Sequence, residues 1–139
     1  MTSHLVRRAL ELLAADGPIV VVPPSLAVAA TIAGADEPAH GGLCSFLGDR
    51  ADSVARAARL DALAARLPSG APLVVVDHNQ PRRAWSRALG AAVLLGRGFP
   101  PSRARHPTAR EVGAHGFAVS ALRLACGERV QIVLAHRRG

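Results

Sequence analysis

Apolar positions along this chain follow two periods in alternation, 3.6 and 2, and the switches between them mark out its elements. Leu5, Val6, Ala9, Leu10 and Leu13 keep the helical period, Ser3 is placed to cap the helix, and Asp16-Gly17-Pro18 stops it. Ile19 to Val22 is a β-branched run too short for a helix, which predicts a buried strand broken by Pro23-Pro24. Ser25 then stands ready to cap a nearly all-apolar helix ending near Gly34, and residues 35–42, with Asp36, Glu37, Pro38 and a glycine pair, predict a loop. Leu43 to Leu47 predicts a second strand. Gly48-Asp49-Arg50 turns into a long helix reaching Leu67, with Arg56, Arg59 and Arg66 sharing one side. Val54, Ala58, Ala62 and Ala65 face away from them, as the stripe expected to lie on a sheet.

The second half is patterned more sharply. Pro68-Ser69-Gly70 ends the long helix, and Leu73 to Val76 is the clearest strand in the chain. Pro81 suits the first turn of a helix that carries Trp85, Leu89, Ala92 and Val93 on one face, expected to be core, with the lining of a hydrophobic substrate entrance as the alternative. The basic, Gly- and Pro-containing stretch 96–106 predicts a mobile loop. Thr108-Ala-Arg-Glu111 has the form of a capping box for a short helix closed by Gly116. Phe117 to Ala125 and Val130 to Ala135 alternate on either side of the turn Cys126-Gly127-Glu128.

This order constrains the topology. Strands separated by helical crossovers run parallel, whereas two strands joined by so tight a turn must be antiparallel. The expected fold is a single α/β domain over residues 1–139, Rossmann-like and three-layered. Its mixed sheet is mostly parallel with an antiparallel C-terminal hairpin, and ligands are expected at the carboxyl ends of the parallel strands.

Composition narrows the functions. At 139 residues the chain can bury a core without disulfide or metal staples. Its apolar runs are far too short to cross a bilayer, and the N-terminus leads into a helical pattern and not a signal-peptide core, so a cytoplasmic protein is expected. All 17 basic residues are arginine, and they leave a formal charge of +7. They are scattered among acids, and aromatics make up only 3% of the chain, so the stacking platforms of single-strand nucleic-acid binders are missing. Cys44 and Cys126 lie far apart and read as small core residues. No histidine pair has metal-ligand spacing with a third candidate beside it, and no metal site is expected.

From Pro72 to its end the chain resembles the class I S-adenosylmethionine-dependent methyltransferases. The strand Leu73-Val-Val-Val-Asp77, the helical excursion after it, the short helix ending in Gly116-Phe117 and the terminal hairpin carry the resemblance. It implies a shortened methyltransferase-type core, S-adenosylmethionine as cofactor and a small-molecule methyl acceptor. Ser45-Phe-Leu-Gly48-Asp49 is similar to the family's strand-end Gly-Asp, in which the aspartate accepts from the adenine amino group; Asp49 is equally suited to cap the following helix. The family's glycine-rich first loop has no match, because Pro23 and Pro24 bring no N–H donors, although Ser25 at a helix start could hold a carboxylate. No strand-end acid for the ribose stands out.

Candidate chemistry gathers after the Leu73 strand. His78 is placed to act as a general base toward an acceptor hydroxyl or amine. Asp77 and Asn79 would project over the carboxyl edge toward the substrate, although Asp-His-Asn-Gln-Pro is also good turn chemistry. Arg82 and Arg83 oppose the dipole of the next helix, which suggests an anionic ligand or plain solvation. The function expected is methyl transfer to a small molecule. The alternative is a degenerate, non-catalytic methyltransferase-like protein that pairs with itself or a partner chain through an exposed sheet edge. A nucleic-acid-binding module ranks last.

Overall fold

The computed structural model describes residues 2–24, 26, 28, 30–47, 51–105 and 107–139, without the side chains of Thr2 and Arg103. A five-stranded sheet runs in the order β1 (Ile19–Val22), β2 (Gly41–Ser45), β3 (Pro72–His78), β5 (Val130–Arg137), β4 (Phe117–Ala125). β1, β2 and β3 are parallel, and β5 pairs antiparallel with both β3 and β4. Helix α1 (Thr2–Leu13) covers one face; α2 (Ser53–Arg66) and α4 (Thr108–Ala114) cover the other. The result is the expected three-layer mixed sheet. No helix among the described residues is long and apolar enough to cross a membrane.

Period-2 alternation on β3 distributes the core. Leu73 and Val75 pack with Leu60, Leu63, Val112 and Phe117, while Val74 and Val76 pack with Leu5, Ala9, Leu43 and Ile132. Each such buried aliphatic side chain stabilises the fold by about 1.5–3 kcal/mol of transfer free energy. The glycine pair placed in a loop by the sequence opens β2 instead. A Cβ on Gly41 would lie 3.1 Å from Ala15 Cβ, and one on Gly42 would lie 3.1 Å from Leu67 and Leu73, so these glycines let both helical layers close on the sheet.

Four further expectations are corrected. Described residues of the stretch after Pro24 carry no helix, and Ser25 itself lies outside them. Edge strand β1 needs partners for its outward backbone groups, and this stretch supplies them: Ile19 N donates to Thr31 O (2.9 Å) and Ala33 N to Ile19 O (2.8 Å). The face of α2 is reversed. Arg56, Leu60 and Leu63 are buried and Val54 is exposed, because the leucines bury more apolar area than the alanine stripe and Arg56 shares their side.

Helix α3 (Ala84–Gly96) buries Leu94 and leaves Trp85, Leu89 and Leu95 exposed, so Trp85 is not core. It packs on a short 3-10 turn, Pro101–Arg105, formed within the stretch predicted as a mobile loop. Strand β4 is an edge strand on which Val119, Leu122 and Leu124 stay exposed. A bulge after Val119 shifts its register, and Ser120 there donates its hydroxyl to Leu134 O (3.2 Å).

Candidate functional site

Strand β3 runs two residues further than the apolar pattern shows, so Asp77 and His78 are ladder residues opposite Gln131 and Val130, and not turn residues. Alternation sends their side chains to opposite faces. Asp77 turns toward α2 and α4 and is fully buried. Its Oδ2 accepts from Arg56 Nη2 (2.6 Å) and from Thr108 Oγ1 (2.7 Å), and its Oδ1 from the His78 N–H (2.7 Å). Arg56, also fully buried, donates from Nε and Nη2 to the two carboxylate oxygens of Glu111 at 3.1 Å each. Its guanidinium lies 3.9 Å above the Phe46 ring, while Nη1 has no hydrogen-bond partner among the described residues. Burial by itself would lower the Arg56 pKa. The hydrogen bonds and charges of Glu111 and Asp77 outweigh it, and the pKa is raised above arginine's usual value.

Two sequence expectations change at this cluster. Thr108 and Glu111 do not form a capping box: Pro107 is the N-cap of α4 without a side-chain bond, and both side chains serve the Arg56–Asp77 pair. Asp77 is spent on this ion pair and has no surface to offer a substrate. The sequence places Arg56 on the side of α2 away from the sheet and Thr108 and Glu111 in a capping box; the fold brings Arg56 and Thr108 to the Asp77 carboxylate instead, and Glu111 to Arg56. The signal available for Arg56 was its place on the helical period of Leu60, Leu63 and Leu67.

On the opposite face His78, 9% exposed, borders a cavity of about 370 Å³. Its walls include Leu5, Leu47, Asn79, Leu94 and Val130, so the cavity lies at the carboxyl ends of β2 and β3 beneath α3 and the 3-10 turn. The His78 ring also faces Phe99, with centroids 6.3 Å apart. Asn79 is held against the β4–β5 turn: its backbone N donates to Arg129 O (2.9 Å) and its Nδ2 to Glu128 O (2.7 Å). That turn carries Cys126, Gly127 and Glu128 in left-handed conformation, at φ of 53°, 64° and 66°. Arg82 and Arg83 are exposed and outside the cavity wall. The Arg82 N–H donates to Glu128 Oε2 (3.3 Å), and Arg83 is the N-cap of α3 without a side-chain bond.

Ser25, Gly48 and Asp49, the residues expected to hold the cofactor, lie outside the described residues. The cap of α2 is Asp52, whose Oδ1 accepts from Ala55 N (2.8 Å). The described residues directly after β1 offer S-adenosylmethionine few free N–H donors. Pro23 and Pro24 have no N–H, and the Leu26 N–H donates to Pro23 O (3.0 Å). Glu37, in the turn beyond them, accepts from Gly34 N at 3.0 Å.

No protein-family model matches this sequence, and no curated protein matches it. Solved structures do. The pyocyanin biosynthetic protein PhzM is 20% identical with a TM-score of 0.57, over 71% of this chain and 30% of PhzM. An O-methyltransferase family protein from Burkholderia thailandensis is 20% identical with a TM-score of 0.54, over 73% of this chain and 31% of that one. LepI in complex with SAM is 12% identical with a TM-score of 0.62, over 99% of this chain and 41% of LepI. The fold is therefore a methyltransferase-like, shortened Rossmann-type core, and the chain spans less than half the length of each of these proteins.

Proposed function

We propose that this protein is a methyltransferase-like binding protein whose cavity at the end of β3 receives a small molecule, in the position of a methyl acceptor, and which does not hold S-adenosylmethionine by itself. The single observation that carries the reading is the contrast between the end of β3 and the described residues after β1. The first has a formed cavity bordered by His78 and Asn79, whereas the loop after β1 offers two prolines and an amide already bonded to Pro23. A cytoplasmic location goes with this reading and is supported by the free thiols of Cys44 and Cys126. Pairing with a second copy or another chain through edge strand β4, with Val119, Leu122 and Leu124 exposed, also belongs to it.

Calorimetric titration with S-adenosylmethionine and S-adenosylhomocysteine tests the proposal. The expected result is no heat at millimolar ligand with the protein shown to be folded. Micromolar binding that disappears in Asp49→Ala would overturn it and assign Gly48-Asp49 to the adenine.

The second reading is an active methyltransferase, and His78 at the cavity wall favours it. In that case His78 accepts the proton of the acceptor hydroxyl or amine, a contribution of about 10²–10⁴ in rate. Transfer of a labelled methyl group to a panel of phenols and amines, lost by that factor in His78→Gln with cofactor affinity unchanged, would establish it.

A further inference from the structure

The cavity beside His78 has an uneven chemistry. Its interior is apolar, with Leu5, Val93, Leu94 and Val130 among its walls, yet Arg87, Arg97, Arg105 and Arg129 line it and no described acidic residue does. Of the four, Arg129 is held most firmly. Its stem passes beside Gly90, where an added Cβ would sit 3.6 Å from its Cγ, and its Nε donates to Cys126 O (3.0 Å). The rest of its planar guanidinium is thereby oriented in advance, the arrangement that makes arginine selective for carboxylate, sulfonate and phosphate oxygens. Arg87, Arg97 and Arg105 are exposed, with no ion pair or side-chain hydrogen bond among the described residues. Gathering like charges around an apolar wall without counter-charge is unfavourable until an anion arrives.

We propose that this cavity selects an apolar small molecule bearing an anionic group, the apolar body against Leu94 and Val130 and the anion on Arg129, with Arg87, Arg97 and Arg105 adding to the field. The inference rests on the reading of the cavity as a small-molecule site. At about 370 Å³ the space matches a compact ring system and not a chain or a macromolecule.

Cys126 makes the cavity its own reporter, because it is a half-buried residue of the wall with a free thiol, while Cys44 is fully buried. The experiment measures the rate of Cys126 alkylation by uncharged iodoacetamide at increasing concentrations of two probes with one skeleton. These are 8-anilinonaphthalene-1-sulfonate and its neutral counterpart N-phenyl-1-naphthylamine. The sulfonate is expected to protect at concentrations at least about tenfold lower, with the advantage shrinking as salt rises. Arg129→Met, which keeps the stem, is expected to erase the advantage while leaving protection by the neutral probe unchanged. Arg87→Gln/Arg97→Gln, at exposed positions, should reduce it in part and serves if Arg129→Met does not fold. Competition by 1-naphthoate against 1-naphthyl phosphate distinguishes a carboxylate from a phosphate ligand. Equal protection by both probes in the native protein would overturn the anion preference and leave the cavity reading standing. No protection by either would overturn the cavity reading itself.

Discussion

Asp77 and His78 are neighbours on one strand, yet the regions they face are built on opposite principles. On the Asp77 side, α2 and α4 close over a charge cluster in which Arg56 answers two carboxylates. On the His78 side α1 contributes only Leu5 of its described residues to the cavity wall, and α3 and the 3-10 turn arch over the strand end and leave a cavity. Charge taken out of water must be paired at once, and pairing three such groups fills all the space around them. An open cavity needs the reverse, a wall with few internal partners held by elements that barely touch the core. One half of the strand end therefore supplies rigidity and the other supplies room.

Breaking the closed side should cost most. Arg56→Ala leaves Asp77 buried without its partner and should destabilise the protein by about 3–5 kcal/mol in urea denaturation. The pKa of Arg56 is raised, so its contribution is fully present below arginine's usual value and is lost only as pH rises through the higher folded value. The gap in stability between native protein and Arg56→Met should therefore stay flat from about pH 7 to about pH 10. A gap that closes over that range would mean that the cluster is not held by Arg56.

The open side should respond less, and at one residue. Leu94 is the buried anchor of α3, and Leu94→Ala should cost about 2–3 kcal/mol and weaken protection of Cys126 by ligands, because the roof of the cavity loosens. Thr108→Val keeps the shape of the closed side and removes a donor to Asp77; a loss of about 1 kcal/mol is expected from equilibrium unfolding. Trp85→Ser should change stability by less than about 0.5 kcal/mol, since Trp85 is 66% exposed. A larger loss in dilute protein would contradict the placement of α3 and refute the contrast between the two sides.

Much of the C-terminal half was legible in the sequence. The run Leu73 to Val76, the turn at Cys126-Gly127-Glu128 and the alternation around it specify β3, β4 and β5 locally, and crossover rules then set their directions. The cavity was legible as a place, the end of β3, but the opposite facing of Asp77 and His78 was not. His78 and Asn79 do line the cavity, whereas Asp77 faces the other way because the strand continues through it and period 2 assigns its face. Arg129 had no local mark at all: what distinguishes it is Gly90 on a helix about forty residues earlier in the chain.

Local patterning thus determined the order of the five strands, the hairpin and the layered sheet, because hydrophobic period and turn chemistry act over a few residues. Tertiary structure alone decided which face of α2 is buried, what Thr108 and Glu111 are for, and how the segment after Pro24 completes the edge of β1. Each of those depends on a partner brought in from distant sequence. A buried charge or an open backbone edge is satisfied by whatever group the fold delivers, and no local pattern names that group in advance.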